Sequence, residues 1–143
     1  MEIAVRYHTR SGNTKKVADA IGQEAGVKAE NLRAPMIGSI DLLFLGSAVY
    51  GFDLDEDVKQ YISSLSPDRV KSVLLFGTSA IVKNGNEKMA ALLREHEINV
   101  LDQDFHCHGA FAVMHRGHPS EADLKKAAAF ARTAIDRLQG SDT

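Results

Sequence analysis

Cysteine, proline and tryptophan are scarce in this sequence, which has one cysteine, three prolines and no tryptophan in 143 residues. A single cysteine excludes an intramolecular disulfide and is typical of a reducing compartment. No apolar run is long enough for a membrane span, and the opening residues MEIAVRY have the pattern of a strand and not of a signal peptide. We therefore expect a cytoplasmic protein that does not bind a membrane.

An excess of basic residues is also missing. The sequence has 17 lysines and arginines against 19 acids, a formal net charge of −2. This balance argues against a nucleic-acid-binding protein, because such proteins hold phosphates through clustered positive charge. The length suits one domain with a substantial core. Since neither a linker nor an internal repeat is present, we predict a single domain over residues 1–143.

Short apolar runs alternate with amphipathic stretches along the chain. The apolar runs, which are typical of buried strands, lie at 3–5, 42–45, 73–76 and 110–113, with weaker runs near 27–32 and 98–101. Three capping residues, each followed by an acid three positions later, predict helix starts at Asp53, Asn84 and Ser120. Strands that alternate with helices predict an α/β fold with a parallel sheet covered on both faces.

Ligands of open α/β sheets bind beyond the carboxyl ends of the strands. The segment that follows the first apolar run reads HTRSGNT and is rich in hydroxyls, with one glycine, Gly12, that allows close approach of the backbone. Together with the N–H groups of a helix start, these residues suit one terminal phosphate. The segment lacks the Gly-Lys-Ser/Thr ending of a nucleotide-hydrolase P-loop and the repeated glycines of a dinucleotide-binding loop. The alternative is an ordinary capped turn.

The stretch TRSGNT resembles the phosphate-binding loop of the flavodoxins, which follows the first strand of that family. The resemblance implies FMN as cofactor and a short-chain, doubly wound sheet of five parallel strands in the order 2-1-3-4-5. It also implies that the FMN phosphate is bound by the residues of this loop, which are Thr9, Arg10, Ser11, Gly12, Asn13 and Thr14.

Two later segments resemble the flavin-ring loops of the same family. In the first, the resemblance implies that an aromatic residue stacks on the isoalloxazine ring beside a glycine whose peptide can turn over. Its residues are Ser47, Ala48, Val49, Tyr50 and Gly51. The second corresponds to the loop around the pyrimidine end of the ring and comprises Gly77, Thr78 and Ser79. The alternative is that Tyr50 and Phe52 are half-buried loop aromatics.

Two further groups of residues have simpler explanations than catalysis or metal binding. The first consists of histidines around one cysteine, at His106, Cys107, His108, His115 and His118. We interpret them as surface histidines and a core cysteine, and predict neither a zinc site nor a catalytic residue. The second is an acidic run, Asp53, Asp55, Glu56 and Asp57, that is typical of a helix start. It also offers a surface for a basic redox partner.

The sequence as a whole favours an FMN-binding electron carrier that works between a reductase and a redox acceptor. The carrier itself needs no general acid or base, because the redox chemistry belongs to the cofactor. One alternative is an FMN-dependent oxidoreductase that acts on a quinone or a similar small acceptor. Another is an interaction module that has kept the fold but binds no flavin.

Overall fold

Five strands and four helices alternate along the chain in the computed structural model, which describes residues 1–9, 12–36, 38–48, 53–79, 85–108 and 117–141. The strands are β1 (Ile3–His8), β2 (Ala29–Asn31), β3 (Leu42–Ala48), β4 (Val73–Ser79) and β5 (Val100–His108). The helices are α1 (Asn13–Ala25), α2 (Glu56–Ser64), α3 (Gly85–Glu95) and α4 (Glu121–Ser141).

The strands form one parallel sheet in the order β2-β1-β3-β4-β5. This confirms the predicted α/β class and the predicted strand order. The central strand β3 is buried along its whole length, which explains why it reads as a continuous apolar run without polar alternation. Its neighbours β1 and β4 are paired with it along six residues each.

Two apolar cores lie on opposite faces of the sheet. Helices α1 and α4 cover one face, where Phe44 and Phe76 are fully buried. Helices α2 and α3 cover the other, where Leu43 and Leu45 are fully buried. Successive residues of a strand point to opposite faces, so each strand contributes to both cores. Within the described ranges, none of the helices is both long and apolar enough to cross a bilayer.

The fifth strand differs from its prediction. It spans Val100–His108 and contains only the weak run near 98–101, while the stronger run at 110–113 falls outside the described residues. The apolar signal is weak because β5 is an edge strand. Three consecutive residues, Asp102, Gln103 and Asp104, are exposed, and polar side chains of this kind are common on edges.

The helix starts confirm one capping prediction and correct another. Ser120 Oγ accepts from the Asp123 N–H at 3.2 Å, and Asp123 Oδ2 accepts from the Ser120 N–H at 2.8 Å, as a capping box requires. For α2 the predicted cap Asp53 is wrong, because the N-cap is Asp55. Asp53 Oδ2 instead lies 2.7 Å from Lys59 Nζ. The third predicted cap, Asn84, lies outside the described residues.

Candidate functional site

The carboxyl ends of β1, β3 and β4 lie side by side at one edge of the sheet. His8 is in register with Ser47, and Ala48 with Thr78. The strand order reverses between β1 and β3, because β2 lies on one side of β1 and the later strands lie on the other. Ligands of doubly wound sheets bind at such a reversal. This edge is therefore the candidate site.

Helix α1 begins at this edge with a glycine. Its N-cap residue Gly12 has φ of 90°, a left-handed conformation that glycine adopts without the strain that a Cβ would cause. The Gly12 N–H donates to Thr9 Oγ1 at 3.0 Å, so the Thr9 side chain closes the turn in front of the helix. A Cβ placed on Gly12 would meet no atom within 4 Å. The backbone at the helix start is thus open to an approaching ligand.

The first turn of α1 differs in charge from those of the other helices. Helices α2, α3 and α4 each have acids in the first turn, where the helix dipole favours negative charge. The first turn of α1 has no acid and instead contains Lys15 and Lys16. Lys15 forms an ion pair with Asp19 at 2.8 Å. A helix start with lysines and without a carboxylate is suited to a bound anion.

Thr14 connects this helix start to the end of β4. Its hydroxyl is hydrogen-bonded to the Thr78 hydroxyl at 2.8 Å, and both residues are buried. The pair lies between residues that are 64 positions apart in the chain. It therefore fixes the position of the predicted phosphate loop relative to one of the predicted flavin-ring segments.

Replacing Thr14 with Val is expected to lower the free energy of unfolding by about 1–3 kcal/mol, because the Thr78 hydroxyl is left buried without its partner. The double variant T14V/T78V is expected to lose less than the sum of the two single variants, since it leaves neither hydroxyl unpaired. Urea unfolding of the wild type and the three variants measures this coupling. Strictly additive losses would contradict the pairing.

The predicted flavin-ring segments begin inside strands and not after them. Ser47 and Ala48 are the last residues of β3, and Gly77, Thr78 and Ser79 are the last of β4. The Ser47 hydroxyl donates to the Ala48 carbonyl at 3.0 Å and is buried. The interpretation of these five residues as loop residues is therefore wrong. Their place at the carboxyl edge agrees with the prediction that this edge is the site.

Asn86, in the first turn of α3, is a buried polar residue that the sequence did not single out. Its Nδ2 donates to Asp104 Oδ2 at 2.8 Å and to the Phe105 carbonyl at 2.9 Å. A Cβ on Gly77 would lie only 3.0 Å from Asn86 Oδ1. The close approach explains the glycine at this position and joins α3 to both β4 and β5. A single asparagine gives no sequence signal for such a role.

Several predicted site residues lie outside the described residues. These are Arg10 and Ser11 of the phosphate loop and Val49, Tyr50 and Gly51 of the first flavin-ring segment. Among the described members of the set, Thr9, Gly12, Asn13 and Thr14 lie together at the start of α1. The stacking of Tyr50 on a flavin stays a prediction.

The acidic run lies before and within the first turn of α2. Asp53 lies 2.7 Å from Lys59 Nζ and 3.8 Å from Lys88 Nζ, and the hydrogen bond with Lys59 holds the pKa of the Asp53 carboxyl below its usual value. Asp55 and Asp57 approach a different group, because each has a carboxylate oxygen 3.7 Å from His8 Nε2. This contact could not be predicted from the sequence, since His8 is more than 40 positions away.

Cys107 is a core residue, as the sequence indicated. It is buried against the apolar core beneath α1 and α4. Burial, with a smaller contribution from Asp123, raises the pKa of its thiol to about 12, so the reactive thiolate is less favoured here than in an exposed cysteine. His118 Nδ1 is hydrogen-bonded to Asp123 Oδ2 at 2.7 Å. His115 and the side chain of His108 lie outside the described part.

A cavity of about 480 Å³ adjoins the site on the α2 side of β1. His8 and Thr9 at the end of β1 form part of its wall, and Tyr61 of α2 faces them. Two polar atoms of this wall, His8 Nδ1 and the Tyr61 hydroxyl, are buried without a hydrogen-bond partner in the described structure. Burial raises the pKa of Tyr61 to about 12, so its phenol is neutral at physiological pH.

The architecture matches solved structures over nearly the whole chain. A flavodoxin from the domain Archaea superimposes with a TM-score of 0.80 at 17% sequence identity, covering 97% of this chain and 99% of that one. The chain has the flavodoxin-like fold. Flavodoxin 2 from Bacillus cereus matches with a TM-score of 0.73 at 17% identity, covering 96% of this chain and 99% of that chain.

The flavodoxin-like fold also occurs as part of a larger protein. The Flv1 flavodiiron core from Synechocystis matches with a TM-score of 0.76 at 15% identity, and the match covers 99% of this chain but 36% of that one. No protein-family model matches the sequence. An uncharacterized protein from Methanocaldococcus jannaschii is 23% identical over 136 residues, covering 86% of this chain and 90% of that protein.

Proposed function

We propose that the protein binds one FMN molecule non-covalently and shuttles electrons between a reductase and a redox acceptor. The observation that carries the proposal is the start of α1. It lies at the reversal point of a flavodoxin-like sheet, has no acid in its first turn, and begins at a glycine that supplies no capping side chain. These features suit the terminal phosphate of FMN.

The described residues at the start of α1 are of the types that bind a phosphate group. Thr9 holds the turn that exposes Gly12, and the backbone N–H groups of the first helical turn supply donors together with the helix dipole. Asn13 and Thr14 belong to this first turn. Arg10 and Ser11 complete the proposed set. Neutral donors with a few cations suit a single phosphate group better than a triphosphate.

The protein would bind and orient the cofactor, whereas bound FMN would supply a ring that accepts and returns one or two electrons. The proposed ring-binding residues belong to two strand ends. They are Ser47 and Ala48 at the end of β3 with Val49, Tyr50 and Gly51 after it, and Gly77, Thr78 and Ser79 at the end of β4. The hydrogen bond between the buried hydroxyls of Thr14 and Thr78 connects the start of α1 to the end of β4. The protein's further role would be to exclude water from the bound ring.

The acids before and in the first turn of α2 are the proposed contact for a basic redox partner. The side chains of Asp53, Glu56 and Asp57 are 63%, 75% and 60% exposed, whereas that of Asp55 is 11% exposed. Lys59 pairs with Asp53 and Glu56, which reduces their effective charge. Electrostatic attraction at this surface would mainly raise the rate of association.

FMN is expected to bind at least about 100-fold more tightly than riboflavin, because two or more hydrogen bonds to a charged phosphate contribute about 1.5–3 kcal/mol each. Fluorescence titration of the flavin-free protein with FMN, riboflavin and FAD measures the three affinities. FAD is expected to bind weakly, since the site is proposed for a terminal phosphate. Equal affinities for FMN and riboflavin would contradict the phosphate site.

The role as a carrier is tested separately from the binding of FMN. The FMN-loaded protein is expected to take electrons from NAD(P)H only when a flavodoxin reductase is added. Reduction by NAD(P)H in the absence of a reductase, coupled to turnover of a quinone, would instead support the oxidoreductase alternative. A purified protein that stays colourless with excess FMN would contradict both roles.

A further inference from the structure

Three side chains from two distant parts of the chain meet beside the cavity, which His8 and Asp57 line. His8 is the last residue of β1, Asp55 is the N-cap of α2, and Asp57 lies in the first turn of that helix. One ligand atom from each residue lies within 4.8 Å of the other two. The side chains of His8 and Asp55 are 16% and 11% exposed, so these two members of the cluster are largely shielded from water, whereas Asp57 is exposed.

The distances within this cluster are longer than hydrogen bonds. His8 Nε2 lies 3.7 Å from Asp55 Oδ1 and 3.7 Å from Asp57 Oδ2, beyond the range of an N–H···O bond. The His118–Asp123 pair of the same chain shows the contrast, because its atoms are 2.7 Å apart. His8 Nδ1 has no hydrogen-bond partner in the described structure. The ring is therefore not held in place by an ordinary hydrogen bond at either nitrogen.

The separations are close to those of ligands around one transition-metal ion. Bonds of about 2.0–2.1 Å in a tetrahedral arrangement place neighbouring ligand atoms about 3.3 Å apart. A contraction of a few tenths of an ångström would bring His8 Nε2 to that spacing from each of the two carboxylate oxygens. Asp57 is well placed to make this adjustment, since its side chain is 60% exposed.

We propose that His8, Asp55 and Asp57 form a binding site for a divalent transition-metal ion of the Zn²⁺ class. One imidazole nitrogen and two carboxylates suit such an ion, whereas Mg²⁺ and Ca²⁺ prefer oxygen ligands alone. The two carboxylates carry the negative charge that a divalent cation neutralises. Asp55 Oδ1 also accepts from the Asp57 N–H at 2.9 Å, and a carboxylate oxygen that accepts one hydrogen bond has a further lone pair with which to bind an ion.

The ion would link the end of β1 to the start of α2, two segments that are far apart in the sequence. His8 directly precedes Thr9, where the proposed phosphate loop begins, and Asp55 opens the helix that follows the loop after β3. A metal bound here fixes the end of β1 to the start of α2. His8 and Asp57 both line the cavity, so the proposed site adjoins it.

Calorimetric titration of the full chain with ZnCl₂ at neutral pH tests the site. We expect one equivalent of Zn²⁺ to bind, and the affinity to fall by at least about 100-fold in His8→Gln and in Asp57→Asn, since even loss of a supporting partner costs about 10–100-fold. His118→Gln is the matched control, a histidine with one carboxylate partner, and is expected to bind as the wild type does. Equal concentrations of MgCl₂ or CaCl₂ are expected not to compete.

Each variant is first compared with the wild type in metal-free urea unfolding, so that a folding defect is separated from loss of a ligand. Zn²⁺ is also expected to raise the melting temperature of the wild type and not that of Asp57→Asn. Failure to bind one equivalent would overturn the proposal. So would full affinity in both ligand variants, or displacement of Zn²⁺ by Mg²⁺. The test requires no flavin and is independent of the proposed FMN site.

Discussion

Asn13→Asp is expected to weaken FMN binding about 10- to 100-fold while leaving the affinity for riboflavin unchanged. The substitution places a carboxylate in the first turn of α1, which has no acid. Repulsion between this carboxylate and the FMN phosphate costs about 1–3 kcal/mol at the short range and intermediate dielectric of such a site. The flavin-free protein should instead be stabilised by about 0.3–1 kcal/mol, because the helix dipole favours the new charge.

Flavin titration and urea unfolding of the flavin-free protein measure these opposite effects on one variant. Gln23→Glu is the matched control, since it adds the same charge to the same helix ten residues further on, about 15 Å along the axis. At physiological ionic strength that distance exceeds the screening length of about 8 Å, so the control should bind FMN normally. Equal weakening of FMN and riboflavin by Asn13→Asp would contradict a phosphate at the helix start.

Gly46→Val is expected to destabilise the protein by at least about 3 kcal/mol. Gly46 is paired in register with Phe76, and a Cβ on this glycine would overlap the Phe76 ring. Phe76 is fully buried in the core beneath α1 and α4, so the ring has no free space into which to move. The free energy of unfolding in urea measures the loss.

Gly140→Ala provides the control for Gly46→Val, because a Cβ at that helical position meets no atom within 4 Å. An alanine there is expected to cost nothing and to stabilise α4 slightly through its better helix propensity. Comparable stability of Gly46→Val and the wild type would show that the Phe76 ring can leave the glycine surface. That result would contradict the packing of β3 against β4.

The α/β class of the fold could be predicted from local patterns in the sequence, whereas the order of the strands was implied by the resemblance to the flavodoxins. Buried parallel strands need apolar residues on both faces, so they appear as continuous runs such as 42–45. The helices that cover them need an apolar stripe, which the pattern of α1 shows at Val17, Ala18 and Ile21. Both signals are local. They are visible in the sequence because each strand and each helix has to bury an apolar surface of its own.

The resemblance of TRSGNT to a phosphate loop also depended on neighbouring residues only. The structure places Thr9, Gly12 and Thr14 of this stretch at the start of α1, at the carboxyl edge of the sheet. Here too the information was local, because a helix start and its turn lie within a few positions of each other. The partner of Thr14 could not be predicted, since Thr78 belongs to another strand.

Tertiary structure decided where the strands end. Ser47 and Gly77 have little strand propensity, yet they continue β3 and β4, because backbone hydrogen bonds to neighbouring strands outweigh a weak local preference. The edge strand β5 has only a weak apolar signal in the sequence for a related reason. One of its sides has no neighbour, so exposed acids are tolerated there.

The cluster of His8, Asp55 and Asp57 belongs entirely to the tertiary structure. The sequence showed a helix start rich in acids and a histidine at the end of a strand, and each has an ordinary explanation by itself. Folding brings β1 and α2 together because both bury apolar residues in the same core. The polar ends of β1 and α2 meet as a consequence of that packing. No local sequence pattern predicts this contact.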